Sequence, residues 1–156
     1  MTMPATGPRH PLVHPFSAFD VPALLAARAE TRPEHPFIVW EPFDGEPRIW
    51  TYRQFREEVR RIGAGLLARG AAPGEHVLIH MDNCPEILLA WYACAEIGAV
   101  AVTTNARSSG DEIAYFAEHC GAVAGITQPA FAERVGGSAK GLRWLAVTDS
   151  DSDGSR

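Results

Sequence analysis

Apolar positions along this chain alternate between short continuous runs and stripes spaced three and four residues apart. Phe55, Val59, Ile62 and Leu66 recur at steps of 4, 3 and 4, one face of an amphipathic helix. Thr51-Tyr52-Arg53-Gln54 supplies its start, a capping box in which the Thr and Gln side chains satisfy each other's free backbone donors. Gly70 supplies its end, because glycine takes the left-handed conformation without steric cost. Ser109-Gly110-Asp111-Glu112 is a second capping box, with Ile113, Phe116 and Ala117 lining the helix that follows and Gly121 closing it. An earlier helix is expected after Asp20, with Pro22 in its first turn, Leu24 and Leu25 turned inward and Pro33 as its stop. Between these, Phe37-Ile38-Val39-Trp40 and Arg48-Ile49-Trp50 flank a Pro-Phe-Asp-Gly-Glu-Pro stretch, a hairpin signal with Asp44-Gly45 at the turn.

From residue 76 onward the continuous runs dominate. His76-Val77-Leu78-Ile79-His80 reads as a strand, and Asp82-Asn83 caps a helix that Pro85 opens and that runs through Ile97. That helix is apolar on nearly every side, so it should be sandwiched rather than solvated. Further strands are expected over 99–103, 123–127 and 144–147, with a short helix over 129–135 and a flexible loop around Gly136-Gly137. Strands that are apolar throughout and alternate with helices belong to a mainly parallel sheet covered on both faces. The expected fold is therefore α/β, entered by an N-terminal helix and a β-hairpin. Residues 1–16 form a Pro-rich arm, 17–147 one folded unit, and 148–156 a polar Asp, Ser and Gly tail. No internal repeat is present.

Composition narrows the function. Fourteen Lys plus Arg face nineteen Asp plus Glu, a net charge of −5, which argues against a nucleic-acid partner held through its phosphates. Lys140 is the one lysine, so a lysine-dependent mechanism has a single candidate. Cys84, Cys94 and Cys120 form no CxxC pair, and in apolar contexts they read as small hydrophobes of a reducing, cytoplasmic protein. The greasy stretch over 87–102 is interrupted by Glu96 and Gly98, too short for a membrane span. Nor does the N-terminus carry the apolar core of a signal peptide.

Phosphate loops are not found where their chemistry needs them. Gly63, Gly65 and Gly70 have the wrong spacing for a dinucleotide fingerprint and lie inside a helix; they read as small residues that permit close packing. Gly136-Gly137-Ser138-Ala139-Lys140-Gly141 lacks the GxxxxGK[ST] pattern. His80, Asp82, Cys84 and Glu86 alternate like metal ligands, but Pro85 breaks the extended geometry that would aim them at one ion.

One resemblance accounts for the middle of the chain. Trp50-Thr51-Tyr52-Arg53-Gln54-Phe55, Gly65-Leu66-Leu67-Ala68-Arg69-Gly70 and Pro73-Gly74-Glu75-His76-Val77 follow one another in order. Asp82-Asn83-Cys84-Pro85-Glu86, Gly98-Ala99-Val100-Ala101-Val102-Thr103-Thr104-Asn105, Asp111-Glu112-Ile113 and Gly121-Ala122 continue the series. Over about 17–147 the chain resembles the start of acyl-CoA synthetases, members of the adenylate-forming (AMP-binding) superfamily. The Thr104-Asn105-Ala106-Arg107 wording is most similar to the carnitine/crotonobetaine-CoA ligase-like branch.

What the resemblance implies is a two-step reaction in a complete enzyme. A carboxylate attacks the α-phosphate of ATP, giving an acyl-adenylate and pyrophosphate, and the coenzyme A thiolate then displaces AMP. ATP, Mg²⁺ and coenzyme A are the implied cofactors, none of them held by this chain alone. In relatives the phosphate loop ending in Pro-Lys-Gly, the adenine and ribose motifs and the catalytic lysine lie downstream of the matched region. Lys140 matches none of them, so no catalytic residue carries over. The 104–109 loop lies near the coenzyme A entrance of relatives, which makes Thr104, Asn105 and Arg107 the candidate cofactor-binding residues, with Arg107 placed to pair a phosphate. The leading expectation is an N-terminal ligase fragment, inactive by itself, whose partner is the missing downstream part or another copy of itself. The alternatives are a binding or assembly module, such as half of a split ligase that docks through a sheet edge, and a self-contained nucleotide-binding domain.

Overall fold

The computed structural model describes residues 20–43, 45–149 and 151. The proposed Pro-rich arm, Asp44 and most of the polar tail lie outside the described residues.

Helix α1 (Val21–Thr31) starts where Asp20 accepts a 2.8 Å hydrogen bond from the Ala23 amide. Leu25 is buried, but Leu24 is 48% exposed, contrary to the inward reading of both. Adjacent helical residues stand about 100° apart, so a helix that packs along one narrow stripe buries only one of them. Strands β1 (Pro36–Trp40) and β2 (Arg48–Thr51) pair antiparallel as the hairpin. Phe37 fixes this hairpin on the helical layer, stacking on Tyr52 at 4.7 Å and meeting Phe55 edge-on at 5.0 Å.

Helix α2 (Tyr52–Ala68) has both bonds of its capping box, and Phe55, Val59 and Leu66 are buried along its stripe. Gly63 faces the next helix so closely that an added Cβ would stand 3.1 Å from the Ile97 side chain. Gly70 has φ +83°, the left-handed stop.

Strands β3 (His76–His80), β4 (Val100–Thr104), β5 (Ala124–Thr127) and β6 (Trp144–Val147) form one sheet in the order β4-β3-β5-β6, and every pair is parallel. Helices α2 and α3 (Pro85–Glu96) cover one face, burying Leu66, Ala93 and Cys94 against Val77 and Ile79. Helices α4 (Gly110–Cys120) and α5 (Pro129–Ser138) cover the other, burying Ile113, Ala117 and Val135 against Leu78. Burial pushes the Cys94 thiol up to about 11, as suits a cysteine that packs as a hydrophobe.

Two further local expectations need correction. The N-cap of α3 is Cys84, whose side chain makes no capping hydrogen bond, rather than Asp82-Asn83. Pro85 occupies the first turn, where a proline leaves one fewer free amide to be capped. Gly136 and Gly137 belong to α5 rather than to a loop. Val135, fully buried against the sheet, holds the helix through residues whose intrinsic preference would end it. Helix α3 is sandwiched on its inner side, while Leu88 and Trp91 reach the surface.

Candidate functional site

Strand β3 has β4 on one side and β5 on the other: the chain steps from β3 out to β4 and then crosses back past β3 to β5, so the strand order switches between β3 and β5. In open α/β sheets, the crevice beyond the carboxyl ends of the strands at such a switch point is where ligands bind. Three loops lie at that end of the sheet: 81–84 after β3, 104–109 after β4 beside the switch point, and the entrance to α5 after β5.

A cleft of about 480 Å³ opens between the first two loops. Met81 and Ile87 give it an apolar side, and Asp82, Asn83, Thr103, Thr104, Asn105 and Arg107 give it polar groups. The three residues singled out from the sequence thus line one cleft. Asn105 shapes the loop: its side chain accepts from the Arg107 amide at 2.9 Å, and its carbonyl accepts from the Ser108 amide at 2.9 Å. Arg107 is exposed, and among the described residues its guanidinium has no ion-pair partner. Ser109 then caps α4, accepting from Glu112 N while Glu112 accepts from Ser109 N.

Beneath the loops lies a buried polar layer on the α4/α5 side of the sheet. His80 is fully buried, with Nδ1 2.8 Å from the Thr104 hydroxyl on the neighbouring strand. Thr104 donates in turn to the Ile79 carbonyl, and Thr127 donates to the His80 carbonyl at 2.7 Å. The imidazole packs T-shaped on Phe131 at 5.0 Å. Burial is the main cause that holds its pKa below the usual value; the Arg134 charge adds to it and Asp82 opposes it. Gln128, also buried, accepts from the Asp82 amide at 2.7 Å, and Arg134 donates to the Ser108 carbonyl at 3.3 Å. Each loop of the cleft is therefore tied to an element below it.

The four residues that alternate like metal ligands are not gathered. His80 bonds Thr104 on one face of the sheet, whereas Glu86 pairs with Arg48 at 3.3 Å on the hairpin side. The sequence reading left the roles of His80, Gln128 and Arg134 out. For His80 a signal existed, a polar residue ending the apolar run Val77-Leu78-Ile79; Gln128 and Arg134 carry no such signal, because their partners are 46 and 26 residues away. Chemically the cleft offers the Arg107 guanidinium, without an ion-pair partner among the described residues, together with the Asp82 carboxylate, amides and hydroxyls, a set in which the Arg107 side can meet an anionic, hydrogen-bonding ligand.

Comparison with known proteins agrees with this architecture. Residues 25–154 match the family described as AMP-binding enzyme. The crotonobetaine/carnitine–CoA ligase of Proteus mirabilis (strain HI4320) is 36% identical over 103 residues, covering 66% of this chain and 20% of that protein. The same ligase from Citrobacter koseri is 34% identical over 94 residues, 60% of this chain and 18% of that protein. This chain thus spans about a fifth of the length of the curated relatives it matches. Among solved structures, a Mycobacterium tuberculosis fatty acyl CoA synthetase superposes with a TM-score of 0.75 at 25% identity, covering 83% of this chain and 26% of that one.

Proposed function

This chain belongs to the AMP-binding enzyme family, and from that premise we propose that it is the N-terminal subdomain of an ATP-dependent acyl-CoA ligase and does not complete the reaction by itself. The whole reaction joins a carboxylate to coenzyme A while ATP is split to AMP and pyrophosphate. The observation that carries the reading is the cleft beside Arg107, at the carboxyl end of the parallel sheet in a chain 36% identical over 103 residues to a crotonobetaine/carnitine–CoA ligase. Thr104, Asn105 and Arg107 are the residues that would meet coenzyme A there. The exposed guanidinium fits one of its phosphates, and the Asn105-centred turn holds the Arg107 backbone at the rim. Mg²⁺ is a different matter. Among the described residues no three His, Cys, Asp or Glu side chains converge as a metal site, so no step through Mg²⁺ is assigned to them. The phosphate cradle and the lysine that stabilises the developing charge are assigned to the rest of the ligase fold, which is also the partner of this chain, continuous with it or separate. No helix among the described residues is long and apolar enough to cross a membrane, which is compatible with the cytoplasmic site of such a reaction.

The test is calorimetry with Mg·ATP and with coenzyme A, alongside carboxylate-dependent pyrophosphate release. The expected outcome is no pyrophosphate and no tight ATP binding, with weak coenzyme A binding that Arg107→Ala lowers about tenfold, the scale of one charge-assisted hydrogen bond. Turnover that survives purification and disappears with Arg107→Ala would overturn the subdomain reading.

A further inference from the structure

His80 is a fully buried titratable side chain that the reading above does not use. Its hydrogen bonding leaves one consistent arrangement. The Thr104 hydroxyl has a single proton and directs it to the Ile79 carbonyl at 3.3 Å, so it accepts from His80 Nδ1 at 2.8 Å. Nδ1 then carries the hydrogen, and Nε2, which is buried and has no hydrogen-bond partner among the described residues, is a bare lone pair. The opposite tautomer would bury an N–H with nothing to accept it, and would leave Nδ1 and the Ile79 carbonyl competing for the one hydroxyl proton. Protonating both nitrogens would put a charge beside Arg134 in a buried site, with Asp82 opposing it. Thr104 is the last residue of β4 and the first of the 104–109 loop. The loop's far end is tied by Arg134 to the Ser108 carbonyl, so His80 and Arg134 clamp its two ends from below.

We propose that His80 is a positioning residue: as a fixed Nδ1–H donor to Thr104 it anchors the start of the 104–109 loop and so sets where Arg107 stands over the cleft. Its consequence for coenzyme A rests on the function proposed above, whereas the anchoring itself does not. Two measurements on the full chain decide it. Nitrogen-15 spectra of the imidazole report the tautomer, and hydrogen exchange at the Arg107 and Ser108 amides reports the loop, with amides of the β3–β5 ladder as the control. His80→Phe keeps a ring and loses the donor, Thr104→Val loses the acceptor, and His80→Asn restores a donor near Nδ1.

The expected result is an Nδ1–H tautomer, with loop exchange about five- to tenfold faster in His80→Phe and Thr104→Val. In both the ladder should be unchanged, and His80→Asn should return within about twofold of wild type. An Nε2–H tautomer, or loop exchange in the two variants equal to wild type, overturns the proposal. If His80→Phe does not fold, the wild-type tautomer and Thr104→Val still decide. A coenzyme A titration of the wild type runs in parallel. Absence of binding there overturns the coenzyme A reading and leaves the anchoring to be judged by exchange alone.

Discussion

Individual side chains divide into those that hold an element and those that hold the site. Thr51 accepts the Gln54 amide at the head of α2, and removing an N-cap costs ~1 kcal/mol. Leu66, buried in the layer between α2 and the sheet, leaves a cavity when truncated, so Leu66→Ala should cost more, ~2–5 kcal/mol. Denaturant melts that rank the two in reverse would contradict the packing of α2. His80 adds a pH dependence whose sign follows from burial. Its folded pKa is lowered, so the unfolded chain binds the extra proton first. Its contribution is complete above about pH 6.5, the unfolded value, and declines as pH falls through the window between that value and the lower folded one. Glu75 acts in a separate, more acidic window, because the hydrogen bond from Arg143 lowers its pKa below 4.5. Stability measured from roughly pH 7.5 to pH 5 should therefore fall in wild type and fall less in His80→Asn. Equal slopes would show that His80 titrates as it does in the unfolded chain.

At the scale of elements, what caps and stripes specify is firm, and what two elements specify jointly is set by their contact. Both capping boxes form as the sequence spells them, because each needs only four consecutive residues. The α2–α3 contact is different, since it depends on Gly63 letting the backbone of α2 approach Ile97 and Ala93. Gly63→Leu should wedge the helices apart and cost ~1–3 kcal/mol through overpacking, even though leucine is the better helix former. Thermal melts of this variant should show a lowered midpoint; a raised one would mean that the two helices are not in tight contact. The same logic explains Gly136 and Gly137, where burial of Val135 carries α5 past two weak helix formers. Leu24 shows the converse: an apolar residue next to the buried Leu25 is left outside because one helix face cannot hold both.

For the whole molecule, the sheet is covered on both faces but keeps two edges, β4 and β6, without a further strand among the described residues. Leu88 and Trp91 on α3 are each 39% exposed, and Val100 and Val147 on the edge strands are 43% and 45% exposed. Unpaired edges beside apolar side chains are a known route to association. The purified chain should therefore self-associate as its concentration rises, seen by light scattering during size exclusion together with a dye that reports apolar surface. A compact, dye-silent monomer at high concentration would instead favour an independent binding module over a ligase subdomain.

The order of helices and strands, the parallel sheet and the family were all open to reading in the sequence, because capping boxes, hydrophobic period and ordered motifs are local properties. Thr104, Asn105 and Arg107 could be picked out as candidates only through the family resemblance, which places their loop near the coenzyme A entrance of relatives. That they share a cleft with Asp82 and Asn83 was decided only by the parallel pairing of β3 with β4, which sets His80 opposite Thr104. The support beneath the cleft was beyond the sequence for the same reason. His80, Gln128 and Arg134 act through partners 24, 46 and 26 residues away, and only the closing of the sheet and its helices brings such pairs within hydrogen-bonding distance.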